Sequence, residues 1–196
     1  LIPKTFMTSG KTLLNISLAE IRPNPFQPRL EFDEESIDQL AVSVKRYGVA
    51  QPILVRKKSD YYELIAGERR YRACLKAGLS AIPAIVKDVS DMGSLQLALI
   101  ENLEREDLNP IEEAKGYDRL IKEFGMTHQL ISESLGKSRS AITNTLRLLK
   151  LPSEVQDAVS SGAVSGGHAR SLITLGSDQL IIDQMNKIIQ GGLNVR

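Results

Sequence analysis

Four consecutive residues stand where a predicted strand ends and a helix begins: Gly67, Glu68, Arg69 and Arg70. A helix N-terminus presents free backbone N–H groups and a partial positive charge, and a glycine there lets a ligand approach the backbone closely. The two guanidinium groups add bidentate contacts to a phosphate. The pattern therefore favours a phosphate site, and the alternative is an arginine pair on a solvated helix face.

Two further polar segments are candidates for the same chemistry. Glu101 and Asn102 close a predicted helix, and carboxylate and amide oxygens suit a Mg²⁺ ion or a polar ligand. Gln27 and Arg29 lie on a proline-rich loop, whose rigidity lowers the entropic cost of holding a ligand. Acidic runs are usually plain surface, so that alternative stays open for Glu101.

Residues 127–149 have the length and punctuation of a helix-turn-helix, with a tight turn at 136–137 and Ser138 as N-cap of the second helix. Between Lys137 and Lys150 there are four basic residues and no acid. The second helix is expected to pack inward through Ile142, Thr145, Leu146 and Leu149. Its outer face holds groups that hydrogen-bond bases and phosphates, namely Ser140, Thr143, Asn144 and Arg147, with Arg139 at the edge. The alternative is a generic helical hairpin.

The elements around these sites change character near residue 107. Upstream, the patterns predict a loose lead-in over 1–12, a short apolar stretch over 16–21, and strands alternating with helices: helices 33–47, 68–77 and 95–103, and strands 52–56, 61–66 and 82–86. Downstream, they predict helices over 110–124, 127–135, 138–149, 153–161 and 168–175. The predicted fold class is an α+β N-terminal domain followed by an all-α helix-turn-helix domain.

Composition excludes several classes of protein. The chain has 196 residues, one Cys, two His and a formal net charge of +1. A disulfide framework, a cysteine zinc site and a histidine metal cluster are therefore excluded. No apolar run approaches the roughly 20 residues of a membrane span, which predicts a soluble, cytoplasmic protein with no membrane partner. The chain begins with Leu rather than Met, and we expect it to be a fragment of a longer protein.

Three segments resemble, in order and spacing, the three boxes of the ParB family, the centromere-binding proteins of bacterial chromosome and plasmid partitioning. They are Asn24–Arg29 (NPFQPR), Gly67–Ala73 (GERRYRA) and Glu101–Pro110 (ENLEREDLNP). Gly48–Ile53 (GVAQPI) is similar to the nucleobase-side motif of the family. The resemblance runs from about Leu14 to the end of the chain.

The resemblance implies a CTP-binding domain over 14–107, after a lead-in tail at 1–13, with the ParB/sulfiredoxin-like fold. Gly67, Glu68, Arg69 and Arg70 would hold the triphosphate, and Glu101 and Asn102 would lie beside the phosphates and Mg²⁺. The remaining implied contacts are Gln27 and Arg29 at the phosphate end, and Gly48, Gln51 and Pro52 near the base. The family hydrolyses CTP slowly and uses it as a switch; Glu101 and Gln27 are the implied catalytic residues, although Glu101 suits a magnesium partner equally. Cys74, inside the predicted helix 68–77, is expected to be a small buried hydrophobe.

The same resemblance implies that residues 108–196 bind the parS site, an inverted repeat. Residues 136–152 match the helix-turn-helix unit of the family, and residues 165–170 match a segment of the family that helps to bind parS. For His168, a helix-capping role is an equal alternative. The implied DNA-binding residues are Lys137, Ser138, Arg139, Ser140, Thr143, Asn144, Arg147, Gly167, His168 and Arg170.

The function implied is that of a nucleoid-associated dimeric clamp, loaded at parS and closed by CTP, for chromosome or plasmid segregation. A nucleoid-occlusion or transcription-regulating relative with another DNA site is the main alternative. Those siblings usually have Gln, Lys and Arg where this chain has Arg139, Thr145 and Gly167, which favours parS. An enzyme acting on a nucleotide-linked substrate is a third possibility, against which the helix-turn-helix counts. Neither the C-terminal dimerisation domain of the family nor its N-terminal peptide for a ParA-type ATPase is evident in the chain.

Overall fold

Among the described residues, five strands form one mixed sheet in the first half of the chain. They follow the order β1-β5-β3-β4-β2, with β3 at the centre. Neighbours β1/β5 and β3/β4 run antiparallel, and β3/β5 and β2/β4 run parallel. The strands are β1 (Thr12–Ser17), β2 (Ile21–Arg22), β3 (Ile53–Lys57), β4 (Tyr62–Ala66) and β5 (Ala81–Lys87). The computed structural model describes residues 12–23, 34–105 and 107–191.

Three helices accompany the sheet: α1 (Glu34–Tyr47), α2 (Glu68–Lys76) and α3 (Asp91–Leu103). Helix α1 packs on α2 through Ile37, Ala41 and Ala73, all of them buried. The β-branched and aliphatic residues of the strands supply most of the core, because alternate strand positions point to the same face. This core consists of Ile16, Leu18, Ile21, Val44, Ile53, Val55, Leu64, Tyr71, Cys74, Ile82 and Ala84.

The second half of the described chain is helical. Its helices are α4 (Pro110–Phe124), α5 (His128–Leu135), α6 (Arg139–Arg147), α7 (Ser153–Ser160), α8 (Gly166–Leu172) and α9 (Asp178–Gly191), with 3₁₀ turns at Leu148–Lys150 and Ile173–Leu175. A separate core joins α4, α7, α8 and α9, built from Ile111, Leu148, Leu151, Val155, Val159, Val164, Ala169, Leu172, Ile181 and Met185. The chain divides into two compact units between Asn102 and Leu103, slightly before the change in composition at residue 107.

The predicted helices and strands are mostly confirmed, and the differences have local causes. Helix α4 has the predicted bounds, because Pro110 takes its first position and Asn109 and Glu112 form a capping box. Residues from Thr12 belong to strand β1 rather than to a loose lead-in, since β5 supplies the hydrogen-bonding partner that the local pattern does not reveal. Helix α3 begins four residues earlier than predicted, and α9 was not predicted at all.

A network of ion pairs centred on buried Arg56 ties the exposed start of α3 to the sheet. Arg56 on β3 donates from Nε to Glu63 Oε1 on β4 at 2.9 Å, and both side chains are less than a tenth exposed. Arg56 Nη1 also lies 2.5 Å from Oδ1 of Asp91, the first residue of α3, which Lys58 Nζ approaches to 2.7 Å. The hydrogen bonds from Lys58 and Arg56, and the positive charges of both, lower the pKa of Asp91 below its usual 3.8.

We expect Asp91→Asn to destabilise the fold at neutral pH and to have little effect in acid. Because the folded pKa of Asp91 is depressed, its contribution is present above pH 3.8 and disappears as the pH falls through the lower folded value. Urea unfolding of the two proteins from about pH 7 down to about pH 2.5 measures this difference. Asp60→Asn, in the β3–β4 turn, is the matched control; a gap between wild type and Asp91→Asn that does not narrow in acid would contradict the expectation.

Candidate functional site

The turn from β4 into α2 requires glycine at position 67 for two reasons. Gly67 has a φ of 99°, which side-chain-bearing residues rarely adopt. A Cβ at this position would also lie 2.8 Å from Ile53 Cγ2 and 3.4 Å from Arg70 Cζ. No side chain caps the N-terminus of α2, so its first amides remain available to a ligand. The turn thus has the left-handed glycine and the uncapped helix start on which the prediction of a phosphate site depends.

Arg70 joins two of the predicted site segments. Its Nη1 donates to the backbone carbonyl of Pro52 at 2.6 Å and to that of Gln51 at 3.1 Å. The stretch before β3 is thereby held beside the first turn of α2, although 18 residues separate Pro52 from Arg70. Gly48 ends α1 just before this stretch, as predicted, with a φ of 77° and its N–H bonded to Val44 O.

Arg69 and Glu68 have different environments on the same turn. Arg69 is exposed and donates from Nη2 to Ser36 Oγ on α1 at 2.6 Å. Glu68 is buried; its Oε1 accepts a bond from Arg72 Nε at 2.8 Å, and its Oε2 is buried without a hydrogen-bond partner among the described residues. A carboxylate repels an anion, so the position of Glu68 beside this turn does not by itself favour a phosphate.

Two buried side chains under α2 hold it on the sheet. The Tyr71 hydroxyl donates to Ile21 O on β2 at 3.1 Å, and burial, followed by the charge of Glu68, raises the Tyr71 pKa. Cys74 is fully buried, and burial raises the pKa of its thiol. The buried position agrees with the expected role of Cys74 as a small hydrophobe.

Of the other residues predicted to line the pocket, the structure describes only some. Gln27 and Arg29 lie outside the described residues. Glu101 is exposed and Asn102 half-buried in the last turn of α3. Within the described ranges, no group of three or more His, Cys, Asp or Glu side chains is arranged to hold a metal ion. One carboxylate and one amide still fit Mg²⁺, which commonly takes few protein ligands together with substrate phosphates.

The helix-turn-helix lies where the sequence predicts it. Thr127 caps α5 and Ser138 caps α6, each accepting a backbone N–H through its hydroxyl. Gly136 supplies the left-handed residue of the turn between them. The last turn tightens to 3₁₀ after Arg147. Leu148, which was not among the residues predicted to pack inward, is buried there at 3% exposure, and Leu149 is half-buried against the same core, as predicted.

The outer face of α6 is polar and accessible. Arg139, Ser140 and Arg147 are exposed, while Ile142 on the opposite face is fully buried. Together with Thr143 and Asn144, Arg139 and Ser140 line a shallow depression. The Thr143 hydroxyl donates to Arg139 O at 3.0 Å and lies 3.0 Å from His128 Nδ1, so part of its hydrogen-bonding capacity is used within the fold. The sequence does not indicate that His128 contacts this face, because the two residues are 15 positions apart.

The segment around His168 contains the N-cap of α8, Ser165, and an exposed arginine, Arg170. Ser165 caps α8, accepting from His168 N at 3.3 Å, and its hydroxyl also contacts His168 Nδ1 at 2.9 Å. The other ring nitrogen, Nε2, is buried and has no hydrogen-bond partner among the described residues. This geometry is that of the capping alternative. Gly167 is half-buried and Arg170 exposed on the same short helix.

Across the described ranges, no helix combines the length and the apolar character needed to cross a bilayer.

Comparisons with known proteins agree with this two-part architecture. The family model of the ParB N-terminal domain matches residues 4–103, and that of the ParB HTH domain matches residues 106–196. The chain is 49% identical to the chromosome-partitioning protein Spo0J of Thermus thermophilus over 196 residues, which is 100% of the chain and 71% of the relative. It is 48% identical to a nucleoid occlusion protein of Geobacillus thermodenitrificans over 183 residues, 93% of the chain and 65% of that relative.

A solved structure resembles most of the chain. It is the C-terminally truncated chromosome-partitioning protein ParB from Caulobacter crescentus, complexed to the centromeric parS site. The TM-score is 0.83 and the sequence identity 40%, and the match covers 93% of this chain and 95% of that one. The resemblance therefore includes both the mixed-sheet unit and the helical unit.

Gly67→Ala is expected to destabilise the protein more than Gly48→Ala does. Both residues have a positive φ, which costs an alanine about 1–2 kcal/mol, but only the Cβ at position 67 meets Ile53. The added overpacking costs roughly a further 1–3 kcal/mol. Chemical denaturation of the two variants measures the difference, and equal losses would show that the turn has room for a side chain.

Proposed function

Because the chain belongs to the ParB family, we propose that it is a partition protein that binds a parS-type DNA site through its helical unit and CTP through its mixed-sheet unit. The observation that carries the DNA assignment is the exposed polar face of α6, anchored by Ile142 and Ser138. A helix held in this way presents its side chains to the major groove of DNA. The chain spans 71% of its Thermus relative, and the activities of the longer protein are part of the proposal.

The arrangement of Arg70 supports the nucleotide assignment. Nη1 donates to the carbonyls of Gln51 and Pro52, and neither Nε nor Nη2 donates to another described residue. A guanidinium has five N–H donors, so the edge formed by Nε and Nη2 can bind a phosphate bidentately while Nη1 keeps the pocket together. The amides of the uncapped α2 N-terminus and exposed Arg69 add to the attraction for a triphosphate.

The base end of the nucleotide is assigned to the stretch from Gly48 to Pro52. Arg70 holds this stretch next to the phosphate-binding turn, so one side chain couples the two ends of the proposed pocket. Gln27 and Arg29 complete the phosphate end in the proposal. Glu101 and Asn102 would hold Mg²⁺, which neutralises phosphate charge. Slow hydrolysis, with Glu101 and Gln27 involved, would make CTP a switch rather than a substrate for turnover.

Self-association follows from the nature of the DNA site in this proposal. An inverted repeat has two-fold symmetry and is matched by two copies of a helix-turn-helix. The two copies would close around the DNA as a clamp when CTP binds, and slide from the site. Association with the nucleoid follows from DNA binding, and interaction with a ParA-type ATPase belongs to the longer protein.

A nucleoid-occlusion function is the second candidate, favoured by the relative of that name at 48% identity. The exposed first residue of α6, Arg139, is one of the three positions that separate the two groups. Competition between a parS duplex and an occlusion-type duplex for the protein distinguishes them. Preference for parS supports partitioning, and preference for the other duplex makes this chain an occlusion protein.

Calorimetric titration of CTP, ATP, GTP and UTP with Mg²⁺, with and without a parS duplex, tests the proposal as a whole. Selective CTP binding that strengthens with parS supports the switchable clamp. Tight parS binding without nucleotide binding would leave a DNA-binding adaptor and remove the pocket assignment.

Arg70→Ala is expected to abolish CTP binding and to leave the first binding of parS unchanged. The variant loses both the phosphate-facing edge and the bonds that hold Gln51 and Pro52. Calorimetry measures CTP binding, and fluorescence anisotropy measures binding of a labelled parS duplex. Lys57→Ala, at the opposite end of β3, removes the same charge and is expected to bind CTP normally. Loss of both activities in Arg70→Ala would indicate a folding defect instead.

Arg147→Ala is expected to weaken DNA binding without changing CTP affinity. If the exposed guanidinium neutralises one phosphate, its removal lowers the slope of log K against log salt by about 0.9. Arg119→Ala is the control, because Arg119 is similarly exposed but is paired with Glu123 on α4. A salt slope for Arg147→Ala equal to that of wild type would remove Arg147 from the phosphate contacts.

A further inference from the structure

The turn of the helix-turn-helix is tied to helix α4 by three side chains that form one cluster. Lys137, which follows the turn glycine, forms an ion pair through Nζ with Oε1 of Glu113 on α4. The hydroxyl of Tyr117, one turn further along α4, donates to the same oxygen. Lys137 Nζ also lies 6.0 Å from the centroid of the Tyr117 ring. The charge of Lys137 is therefore neutralised within the protein.

This cluster is buried at its Tyr117 end, while the Lys137 side chain at the other end is 42% exposed. Tyr117 is fully buried, and the Glu113 side chain is 21% exposed. Burial, then the hydrogen bond to Glu113, raises the pKa of Tyr117, so its hydroxyl is a permanent donor. If Lys137 moved to a DNA phosphate, the Glu113 carboxylate would be left largely buried without its counter-ion, which is unfavourable.

The backbone of Lys137 is held as firmly as its side chain. Its N–H donates to Ser132 O at 3.1 Å, and its carbonyl accepts from Ser132 Oγ at 2.6 Å. The next residue, Ser138, is the N-cap of α6. The first turn of α6, with exposed Arg139 and Ser140, thus starts from a residue that α4 and α5 hold from two sides.

We propose that Glu113 and Tyr117 are positioning residues for DNA recognition: they hold Lys137, and through it the start of α6, and Lys137 does not neutralise a phosphate. This inference rests on the proposed DNA-binding function. It replaces the expectation that Lys137 contacts DNA. Its consequence is that these three residues set the preference for parS over other DNA, and contribute little to the electrostatic attraction common to all DNA.

Salt dependence separates the two roles of Lys137. The affinities of wild type and Lys137→Met for a parS duplex and for a scrambled duplex are measured over a series of salt concentrations. A positioning role predicts weaker parS binding with an unchanged salt slope, and Lys137→Arg, which keeps the ion pair, restores binding. A phosphate contact predicts a slope lower by about 0.9 on both duplexes. That second result would overturn the inference.

Glu113→Gln and Tyr117→Phe test the α4 side of the cluster. Each is expected to lower the ratio of parS to scrambled-duplex affinity about 10-fold, comparable to the loss of one base contact, while scrambled-duplex affinity is kept or increased. Glu123→Gln, an exposed acid on the same helix, is the matched control and is expected to leave the ratio unchanged. Tyr117→Phe preserves the ring in the core and serves if Glu113→Gln does not fold, as judged by circular dichroism.

The failure of this inference is distinguishable from that of the proposed function. If wild type prefers parS and the variants keep the wild-type ratio, the positioning role is wrong and the DNA-binding function stands. If wild type shows no preference for parS, the proposed function is wrong and the inference falls with it.

Discussion

The first turn of every helix leaves backbone N–H groups without partners, and this constraint shapes both candidate sites. In the helical unit, Asn109, Thr127, Ser138 and Ser165 each accept one or two of these N–H groups at the starts of α4, α5, α6 and α8. Helix α7, which follows Pro152, has no side-chain cap. Helix α2 follows Gly67 and also has no side-chain cap, so its first N–H groups are open to solvent or to a ligand. The proposed phosphate site rests on this uncapped start of α2, whereas the proposed DNA contact rests on the outer face of α6, whose start is capped.

The basic residues of the two candidate sites differ in whether they are paired within the protein. The formal net charge of +1 conceals a segment from Lys137 to Lys150 with four basic residues and no acid. These basic residues differ in their partners. Lys137 forms an ion pair with Glu113 on α4, whereas exposed Arg139 and Arg147 form no ion pair with another described residue. In the mixed-sheet unit, Arg70 donates from Nη1 to the carbonyls of Gln51 and Pro52, and Glu68 forms an ion pair with Arg72. Exposed Arg139 and Arg147, and the Nε–Nη2 edge of Arg70, are the cationic groups that the proposal assigns to the polyanionic ligands.

Much of the fold was predictable because its signals are local. The bounds of α4 follow from Pro110 and the acidic first turn, and the N-cap of α6 follows from Ser138 after a glycine turn. Strand β1 was only partly visible, since it lies at the edge of the sheet and Leu13 on it is 64% exposed. The burial of Leu148 in addition to that of Leu149 was missed because the change from α to 3₁₀ geometry alters the angle between successive residues.

The sequence by itself determined most of the helices and strands, the glycines that end helices or make turns, such as Gly48 and Gly136, the Ser138 cap, and the boxes by which the family is recognised. All of these depend on residues within a few positions of one another, where backbone conformation and short-range hydrogen bonds decide the structure. Only the tertiary structure decided which partner each functional side chain takes: Arg70 with the carbonyls before β3, Thr143 with His128, and Lys137 with Glu113. These partners lie 15 to 24 residues apart. Their pairing depends on how helices and strands pack, which no local pattern encodes.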